Sequence, residues 1–386
     1  MMKQLVSYLE ARLSDYLADL ITLTAMDSYS YDRDDVNHVV DWLDARFQRS
    51  GFTVERFANA AAGDDLLAVR RGRGRGRVLL LGHSDTVFPH GTAAKRPTTI
   101  NGDVINGPGA CDMKGGLLAG IYALEALDAV GFDDYEQIVF LIVSDEEIDE
   151  RHAVPLIRRV SHMGDAVLTL EAARENGDIV TARKGIRAFT GEAFGRAAHS
   201  GVEPEKGRSA ILAMARQIEA LHALNDPARE ISVNVGYIEG GQLRNVVPDY
   251  AKIKFEGRSF TPQGLAEIEA AVRAIFARAV VPDVTFRLHV EEDSLPPMPR
   301  TAEVERLERM AIDIATELGF PLKGAKTGGA ADGSICASEG LPVLDGLGPV
   351  GGLDHSPNEY ILKSSIVPRT ALLAELIARI CQSNQT

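Results

Sequence analysis

The chain has 386 residues, of which 45% are hydrophobic and 25% charged, an ordinary composition for a globular protein with room for two domains. Its formal net charge of −14 at pH 7 disfavours non-specific binding to nucleic acid or to an anionic membrane. We therefore expect a globular protein that has neither of these as a partner.

The N-terminal segment has the spacing of an amphipathic helix. Apolar residues recur at Leu5, Leu9 and Leu13, and the acids Glu10 and Asp15 are interspersed with them. This stretch matches neither a signal peptide nor a membrane-spanning segment. The cysteines are odd in number and far apart, which fits a reducing compartment better than a disulfide framework. Both features predict a cytoplasmic protein.

Residues 70–77 alternate Arg and Gly, as a nucleic-acid-binding segment or a phosphate-binding loop would. However, this run precedes a predicted strand instead of linking a strand to a helix, and it contains no aromatic residue. We therefore favour a solvated hairpin turn.

Four short apolar runs alternate with helical patterns, which is typical of parallel strands buried on both faces of a sheet. The pattern predicts an α/β protein with a mixed, mostly parallel sheet. Each run is followed by a side chain that can bind a metal ion. The runs and these residues are 78–81 with His83, 138–143 with Glu147, 166–170 with Glu171, and 341–344 with His355 after a Gly-rich loop.

Another carboxylate, Asp112, lies in the Gly-rich stretch 107–116, directly before a helical pattern. We expect it in the loop or first turn that enters this helix. Its neighbour Cys111 could be a nucleophile or a small packed residue. Packing is favoured, because no activating His adjoins Cys111 in a known cysteine-enzyme pattern.

These five candidate ligands should converge, because open α/β sheets place their sites outside the carboxyl ends of the strands. Two imidazoles and three carboxylates suit zinc or a similar divalent ion. Five ligands are too many for one catalytic metal with an open position, but they suit two ions roughly 3.5–4 Å apart that share a carboxylate. We assign Asp112 as that bridge.

After Glu171 the pattern changes to the order β-α-β-β-α-β, which is that of a ferredoxin-like α+β unit. A Pro-rich segment follows at residues 294–299. We therefore predict a domain at residues 185–295 that is inserted between two parts of a catalytic domain, residues 1–184 and 296–386.

The motifs resemble those of the metallopeptidase family of glutamate carboxypeptidase, acetylornithine deacetylase and succinyl-diaminopimelate desuccinylase. The resemblance rests, in order along the chain, on the His-x-Asp at 83–85, the Gly-rich stretch around Asp112, the Asp-Glu-Glu at 145–147, Glu171 and His355. It departs at residues 148–151, which replace the Gly-Ser pair usual in relatives, so the rim of the site is expected to differ there. It also implies that the peptide bond after Asp112 is cis.

Two further acids are expected to act beside the ligands. Asp85 lies two residues beyond His83 and is placed to hold the second nitrogen of that imidazole, which sets its tautomer. If the backbone continues extended beyond the strand, successive side chains alternate in direction, and Glu146 and Glu147 then cannot both face the metals. The resemblance implies that Glu147 is the ligand and Glu146 the general base.

Within the inserted domain, the resemblance implies roles for three residues. His199 would reach the active site of the partner subunit in a homodimer and donate a hydrogen bond to the developing oxyanion. Asn245 and Arg258 would bind the substrate, although Arg258 could also be a surface charge. The domain itself would cover the site and carry the dimer contact.

The predicted reaction is hydrolysis of the amide bond of a peptidyl or N-acyl amino acid, most like that of glutamate carboxypeptidase. Two zinc ions would assist it, with cobalt or manganese as alternatives. A deacylase of acetylornithine or N-acyl-amino-acid type is the alternative within the class. A non-catalytic binding protein on the same scaffold is disfavoured, because no ligand and no base is missing.

Overall fold

The computed structural model describes residues 1–59, 61–148, 152–291 and 294–383. Two compact units make up the chain. The first comprises Met1–Ala182, Arg300–Lys326 and Ala331–Thr386, and the second comprises Arg183–Pro299 and Thr327–Ala330.

Both units contain helices and strands. Within the described residues the α-helices are α1 (Met2–Thr24), α2 (Arg33–Arg49), α3 (Thr92–Lys95), α4 (Gly115–Ala129), α5 (Val154–Ser161), α6 (Ala210–His222), α7 (Pro262–Phe276), α8 (Ala302–Leu318), α9 (Gly333–Ser338) and α10 (Lys363–Ser383). The strands are β1 (Thr53–Phe57), β2 (Asp65–Arg71), β3 (Arg77–His83), β4 (Thr99–Asn101), β5 (Val104–Asn106), β6 (Gln137–Val143), β7 (Ala166–Thr169), β8 (Ile179–Arg183), β9 (Gly185–Phe194), β10 (Ala198–His199), β11 (Ser232–Gly240), β12 (Val246–Val247), β13 (Tyr250–Ser259), β14 (Thr285–Val290), β15 (Gly324–Thr327), β16 (Val343–Leu344), β17 (Gly351–Gly352) and β18 (Tyr360–Leu362).

A six-stranded sheet with the order β1-β2-β6-β3-β7-β16 forms the centre of the first unit. The strands β6, β3, β7 and β16 run parallel, whereas β2 is antiparallel to both β1 and β6. Every residue of β6 and β7 is buried, as expected for parallel strands covered on both faces. The predicted α/β class with a mixed sheet is confirmed.

The helix α4 directly follows the Gly-rich loop and lies in the core of the first unit. Its residues are buried on nearly all sides, because it packs against α1, α10 and β3. The Tyr16 hydroxyl donates a 2.6 Å hydrogen bond to the Gly115 carbonyl at the start of α4. A helix that is apolar all round is stable only inside such packing. Because α4 is held on several sides, the end of the loop that joins it is fixed in position.

The hairpin turn predicted for residues 70–77 is wrong. The segment joins β2 to β3, and these strands are not neighbours, because β6 lies between them. The amide groups of Gly72 and Gly74 donate to the Glu136 and Tyr135 carbonyls just before β6. A side chain at either glycine would collide with that backbone. The glycines of this segment therefore allow its backbone to lie directly against the backbone before β6.

The second unit has its own sheet and its own core. The sheet order is β11-β13-β9-β14 with every neighbouring pair antiparallel. Two helices, α6 and α7, bury apolar side chains against β9 and β13. This is the predicted ferredoxin-like arrangement. Two further short strands, β10 and β12, pair with each other outside this sheet. The predicted domain limits at 185 and 295 stay a prediction.

None of the helices among the described residues is both long and apolar enough to cross a membrane. The cytoplasmic location stays a prediction.

Candidate active site

The candidate ligands of the first unit lie at the carboxyl ends of adjacent strands. His83 is the last residue of β3, Glu147 lies four residues beyond β6, and Glu171 lies two residues beyond β7. Because β6, β3 and β7 are parallel neighbours, their ends meet at one edge of the sheet. His355 arrives from the loop between β17 and β18, with a left-handed backbone at φ +61°.

The structure brings these residues together in two groups that share Asp112. In one group, His83 Nε2 lies 3.0 Å from Asp112 Oδ1 and 3.7 Å from Glu171 Oε1. In the other, His355 Nε2 lies 3.1 Å from Asp112 Oδ2 and 3.1 Å from Glu147 Oε2. Asp112 thus offers one carboxylate oxygen to each group. Each group supplies one imidazole and two carboxylates, which is a donor set suited to a divalent metal ion.

The pKa values of the candidate ligands are shifted because these side chains are buried close to one another. Burial alone would lower the pKa of His83, but the carboxylates of Asp112, Asp85 and Glu171 raise it well above its usual value. Hydrogen bonds to Asp112 and Glu147 raise the pKa of His355 to about 11. Desolvation by burial, followed by the charge of Asp112, raises the pKa of Glu171, and burial raises that of Glu147 to about 7. Such strongly perturbed groups cluster at functional sites.

Asp85 lies behind the site and is fully buried. His83 Nδ1 lies 3.0 Å from the Asp85 backbone carbonyl oxygen and 3.3 Å from its Oδ1. The same carboxylate accepts hydrogen bonds from the backbone N–H groups of Glu146 and Glu147, at 3.3 and 3.2 Å, and from the Ser30 hydroxyl at 2.7 Å. Asp85 is therefore placed to orient the imidazole, and it also fixes the backbone that carries both glutamates.

Glu146 is half-buried and lies beside the two groups. Its charge is close enough to Glu147 and Glu171 to raise the pKa of both carboxyl groups. In contrast to Glu147, it is in neither ligand group. One glutamate of the pair therefore belongs to a ligand group while its neighbour lies next to it. Residues 146 and 147 form a turn beyond β6 and not the extended segment that was expected, so the alternation of a strand does not explain this difference.

The loop that carries Asp112 is irregular. Asp112 and Met113 depart from helical dihedral angles, and the peptide bond between them is cis, as predicted. Regular α-helix begins immediately afterwards at Gly115. Asp112 thus lies at the entrance to α4.

The family comparison agrees with this geometry. The sequence pattern of "Peptidase family M20/M25/M40" matches residues 79–379 of the chain. The chain belongs to this family. The M20 family consists of metal-dependent hydrolases, so the chain is a metallohydrolase, and the predicted resemblance is confirmed.

Relatives within the M20 family include enzymes with different names. The chain is 29% identical over 345 residues to carboxypeptidase G2 of Pseudomonas sp. (strain RS-16), covering 87% of this chain and 82% of that one. It is 28% identical over 392 residues to acetylornithine deacetylase of Myxococcus xanthus, covering 94% and 97%. Among solved structures, aminopeptidase PepT of Bacillus cereus ATCC 10987 superposes with a TM-score of 0.79 at 22% identity, covering 95% and 98%, which shows the same fold.

Two of the candidate residues in the second unit lie side by side. His199 in β10 and Asn245, next to β12, are both exposed, and these short strands pair with each other. The Ser200 N–H donates to the Asn245 carbonyl at 3.0 Å, and the Gly201 N–H donates to His199 Nδ1 at 3.1 Å. An Nδ1 that accepts a hydrogen bond carries no proton. In the neutral imidazole the proton is then on Nε2, which is left as a donor.

Arg258, near the end of β13, is held by groups of its own unit. Its Nε and Nη2 donate to the two oxygens of Glu256, at 2.6 and 3.1 Å, and its Nη1 donates to the Gly328 carbonyl at 2.7 Å. A guanidinium has five N–H donors, so one N–H remains on each terminal nitrogen. Two such donors match the two oxygens of a carboxylate.

Several buried charged residues around the site were not predicted. Glu359 accepts hydrogen bonds from the Asp112 loop. Lys114 donates to the Met26 carbonyl at 2.7 Å, and burial lowers the pKa of this lysine to about 8. Arg369 donates to the carbonyls of Gly348 and Gly177, at 3.1 and 3.0 Å. The one available signal was the position of Lys114 inside the Gly-rich stretch 107–116, which was already chosen for Asp112. Glu359 lies four residues beyond His355, outside every chosen stretch.

Cys111 behaves as a packed residue. It is 1% exposed, and burial followed by the charge of Asp354 raises the pKa of its thiol. A nucleophilic cysteine needs the opposite shift, because the thiolate is the reactive form. The departure from the family pattern at residues 148–151 falls mainly on residues 149–151, which lie outside the described residues.

Proposed function

We propose that the protein hydrolyses the amide bond of a peptidyl or N-acyl amino acid with the help of two divalent metal ions. One observation carries this proposal, namely that Asp112 directs Oδ1 to the His83 group and Oδ2 to the His355 group. A carboxylate shared in this way is what a pair of metal ions roughly 3.5–4 Å apart requires. The relative named carboxypeptidase G2 supports a substrate with a free carboxylate.

The residues of the site fit zinc. Each group combines one imidazole nitrogen with carboxylate oxygens, and with three ligands each it leaves coordination positions open. Cobalt and manganese accept the same donors. When bound, the two ions would polarise the scissile carbonyl and make water acidic enough to deprotonate near neutral pH.

We assign the proton transfers to Glu146. Its carboxylate lies next to the ligand groups without belonging to them, so it can accept a proton from the attacking water. The same carboxyl group then delivers the proton to the leaving amine. Asp85 supports this step, because it holds the Glu146 N–H at 3.3 Å.

The second unit would supply the groups that bind the substrate. The Nε2–H of neutral His199 is the donor proposed for the oxyanion, a contact worth several kcal/mol in favourable cases. Asn245 is adjacent to it. The two free N–H groups of Arg258 would hold the substrate carboxylate, with Glu256 fixing the guanidinium.

We infer a homodimer through the second unit. The strand β11 is at the edge of its sheet, and residues 236–240 are exposed. Tyr237 and Ile238 are 45% and 56% exposed, and Ile211 of α6 lies close to the end of this strand. An open apolar edge of this kind invites pairing with a second copy. Sedimentation analysis should find a dimer that Ile238→Lys weakens and that Ile100→Lys, at an exposed site in the first unit, leaves intact.

The test of the function is a substrate panel assayed after removal and return of metal. The panel should contain peptidyl and acetylated amino acids, since one relative is named a carboxypeptidase and another a deacetylase. Chelation should abolish hydrolysis, and zinc, cobalt or manganese should restore it. Bound metal should approach two ions per chain. Full activity in protein shown to be free of metal would refute the proposal, and preference for acetylated substrates would favour the deacylase.

A further inference from the structure

Glu359 is a buried carboxylate that the proposed chemistry does not use. It is 1% exposed and lies four residues after His355, immediately before the short strand β18. Its Oε1 accepts hydrogen bonds from the Cys111 and Asp112 N–H groups at 2.8 and 3.0 Å, and its Oε2 accepts one from Gly109 at 3.2 Å. Both oxygens are therefore directed at backbone donors.

These three donors all belong to the turn that presents Asp112. A carboxylate that receives several backbone N–H groups forms charge-assisted hydrogen bonds, which are roughly twice as strong as neutral ones. The Asp112 N–H is one bond away from the atom that carries the Asp112 side chain. Fixing this amide therefore limits the directions in which the two oxygens of Asp112 can point.

A neighbouring lysine balances the buried charge. The Lys114 ammonium is fully buried, attracts the Glu359 carboxylate, and donates to the Met26 carbonyl. A buried acid with this many partners is costly to disturb, because any removed acceptor leaves N–H groups without a partner in a region shielded from water.

We propose that Glu359 is the positioning residue of the metal-bridging carboxylate. The segment 355–359 then has two tasks. It supplies His355 to one ligand group, and through Glu359 it holds the turn that directs Asp112 to both groups. This inference rests on the proposed two-metal function. It predicts that Glu359 controls the affinity of the second metal site and the coupling between the two ions.

The test compares three variants by titration with Co²⁺ alone, followed by absorption and by electron paramagnetic resonance. Glu359→Gln keeps the shape of the side chain but replaces one acceptor oxygen with an NH₂ group. This group is itself a donor, so at least one backbone N–H of the turn loses its acceptor. Partners that orient metal ligands typically change metal affinity by about 10- to 100-fold. We expect a loss of that size in the weaker Co²⁺ site and weaker magnetic coupling between the two ions. Glu359→Asp keeps the charge but is one methylene shorter, so it should fall between Gln and the parent.

Glu308→Gln is the matched control. Glu308 is also a buried carboxylate of the first unit, 8% exposed, but its partner is Arg300 at 2.7 Å. This variant should lower the melting temperature while leaving the Co²⁺ titration and spectra unchanged. If Glu359→Gln does not fold, the titration of Glu359→Asp decides the matter.

The possible failures are distinguishable. Parent-like Co²⁺ affinity and coupling in the folded Glu359 variants would overturn the role of Glu359 alone. The same would follow if Glu308→Gln disturbed the titration as strongly, because the effect would then be general destabilisation. A parent protein that binds fewer than two Co²⁺ ions would overturn the proposed function and this inference together.

Discussion

The candidate reactive side chains of the two units differ in exposure and in how closely they contact one another. In the first unit, His83 and Glu171 lie at the carboxyl ends of buried strands and Asp112 lies at the entrance to α4. Their ligand atoms lie within 4.8 Å of one another. In the second unit, His199 in β10 and Asn245 next to β12 are exposed, and residues 236–240 of the edge strand β11 are exposed as well. The two candidate ligand groups thus come from the first unit alone. The exposure of His199 and Asn245 in the second unit leaves them accessible to another molecule, which is the physical reason for proposing a site shared between two subunits.

The largest expected effect is at Glu146. Glu146→Gln keeps the size of the side chain but cannot accept the proton, so kcat should fall by about 10²- to 10⁴-fold. Because Glu146 belongs to neither ligand group, metal content and substrate KM should change little. Metal analysis together with steady-state kinetics measures both.

Glu147→Gln is the matched variant, since it alters the adjacent residue that contacts His355 at 3.1 Å. It should lower the occupancy of one metal. If metal content fell in Glu146→Gln and held in Glu147→Gln, the two roles would have to be exchanged.

The next effect concerns the second unit. His199→Ala removes the proposed oxyanion donor, so kcat should fall by about 10²- to 10³-fold for every substrate. Mixing this variant with Glu146→Gln should restore part of the activity, because one site of each mixed dimer would combine an intact Glu146 with an intact His199. No recovery after proven subunit exchange would show that the site is not shared.

Much of the first unit could be predicted from the sequence. Short apolar runs that are followed by His or Glu mark buried strands and the candidate ligands at or just beyond their carboxyl ends, and β3, β6 and β7 follow this pattern. The ferredoxin-like order of the second unit was predictable in the same way. These features depend on local periodicity, which a sequence records directly.

Contacts between distant segments could not be predicted. Glu359 and Cys111 are 248 residues apart in sequence, and nothing local distinguishes a buried glutamate from a solvated one. The turn at residues 70–77 was wrongly predicted for the same reason, since the strand that separates β2 from β3 comes later in the chain. A backbone N–H or carbonyl takes part in each of these contacts. Because nearly every residue has these groups, the amino-acid sequence does not show which of them will be used.

A smaller effect is expected at Arg258. Charge-assisted hydrogen bonds contribute about 1.5–3 kcal/mol, so Arg258→Ala should lower kcat/KM by roughly 10- to 100-fold for substrates with a free carboxylate. The matching amides should lose little, and the preference between the two should narrow. Arg273→Ala, which removes an exposed arginine paired with Glu269 in the same unit, is the control. An unchanged preference would mean that another residue binds the carboxylate.

The last effect concerns stability and not catalysis, at a buried acid behind the site. Asp65 is 4% exposed, and its Oδ1 accepts hydrogen bonds from the Ser144 N–H and hydroxyl, each at 3.0 Å. Desolvation by burial, followed by the charge of Asp145, raises the pKa of Asp65 to about 7. In the unfolded chain an aspartate titrates near pH 4. Between these values the folded state binds a proton that the unfolded state does not.

Stability must therefore fall as the pH rises from about 4 to about 7, on the order of a few kcal/mol from this one group. Asp65→Asn keeps the oxygen acceptor for Ser144 but cannot ionise, so it should remove this part of the pH dependence. Urea unfolding in the presence of a chelator should show that the variant gains stability relative to the parent between pH 5 and pH 8. Asp313→Asn, at an exposed position of α8, should show no such gain. A constant difference between Asp65→Asn and the parent across this range would mean that Asp65 is ionised in the folded protein throughout, and that the first unit tolerates buried charge behind its ligands as well as among them.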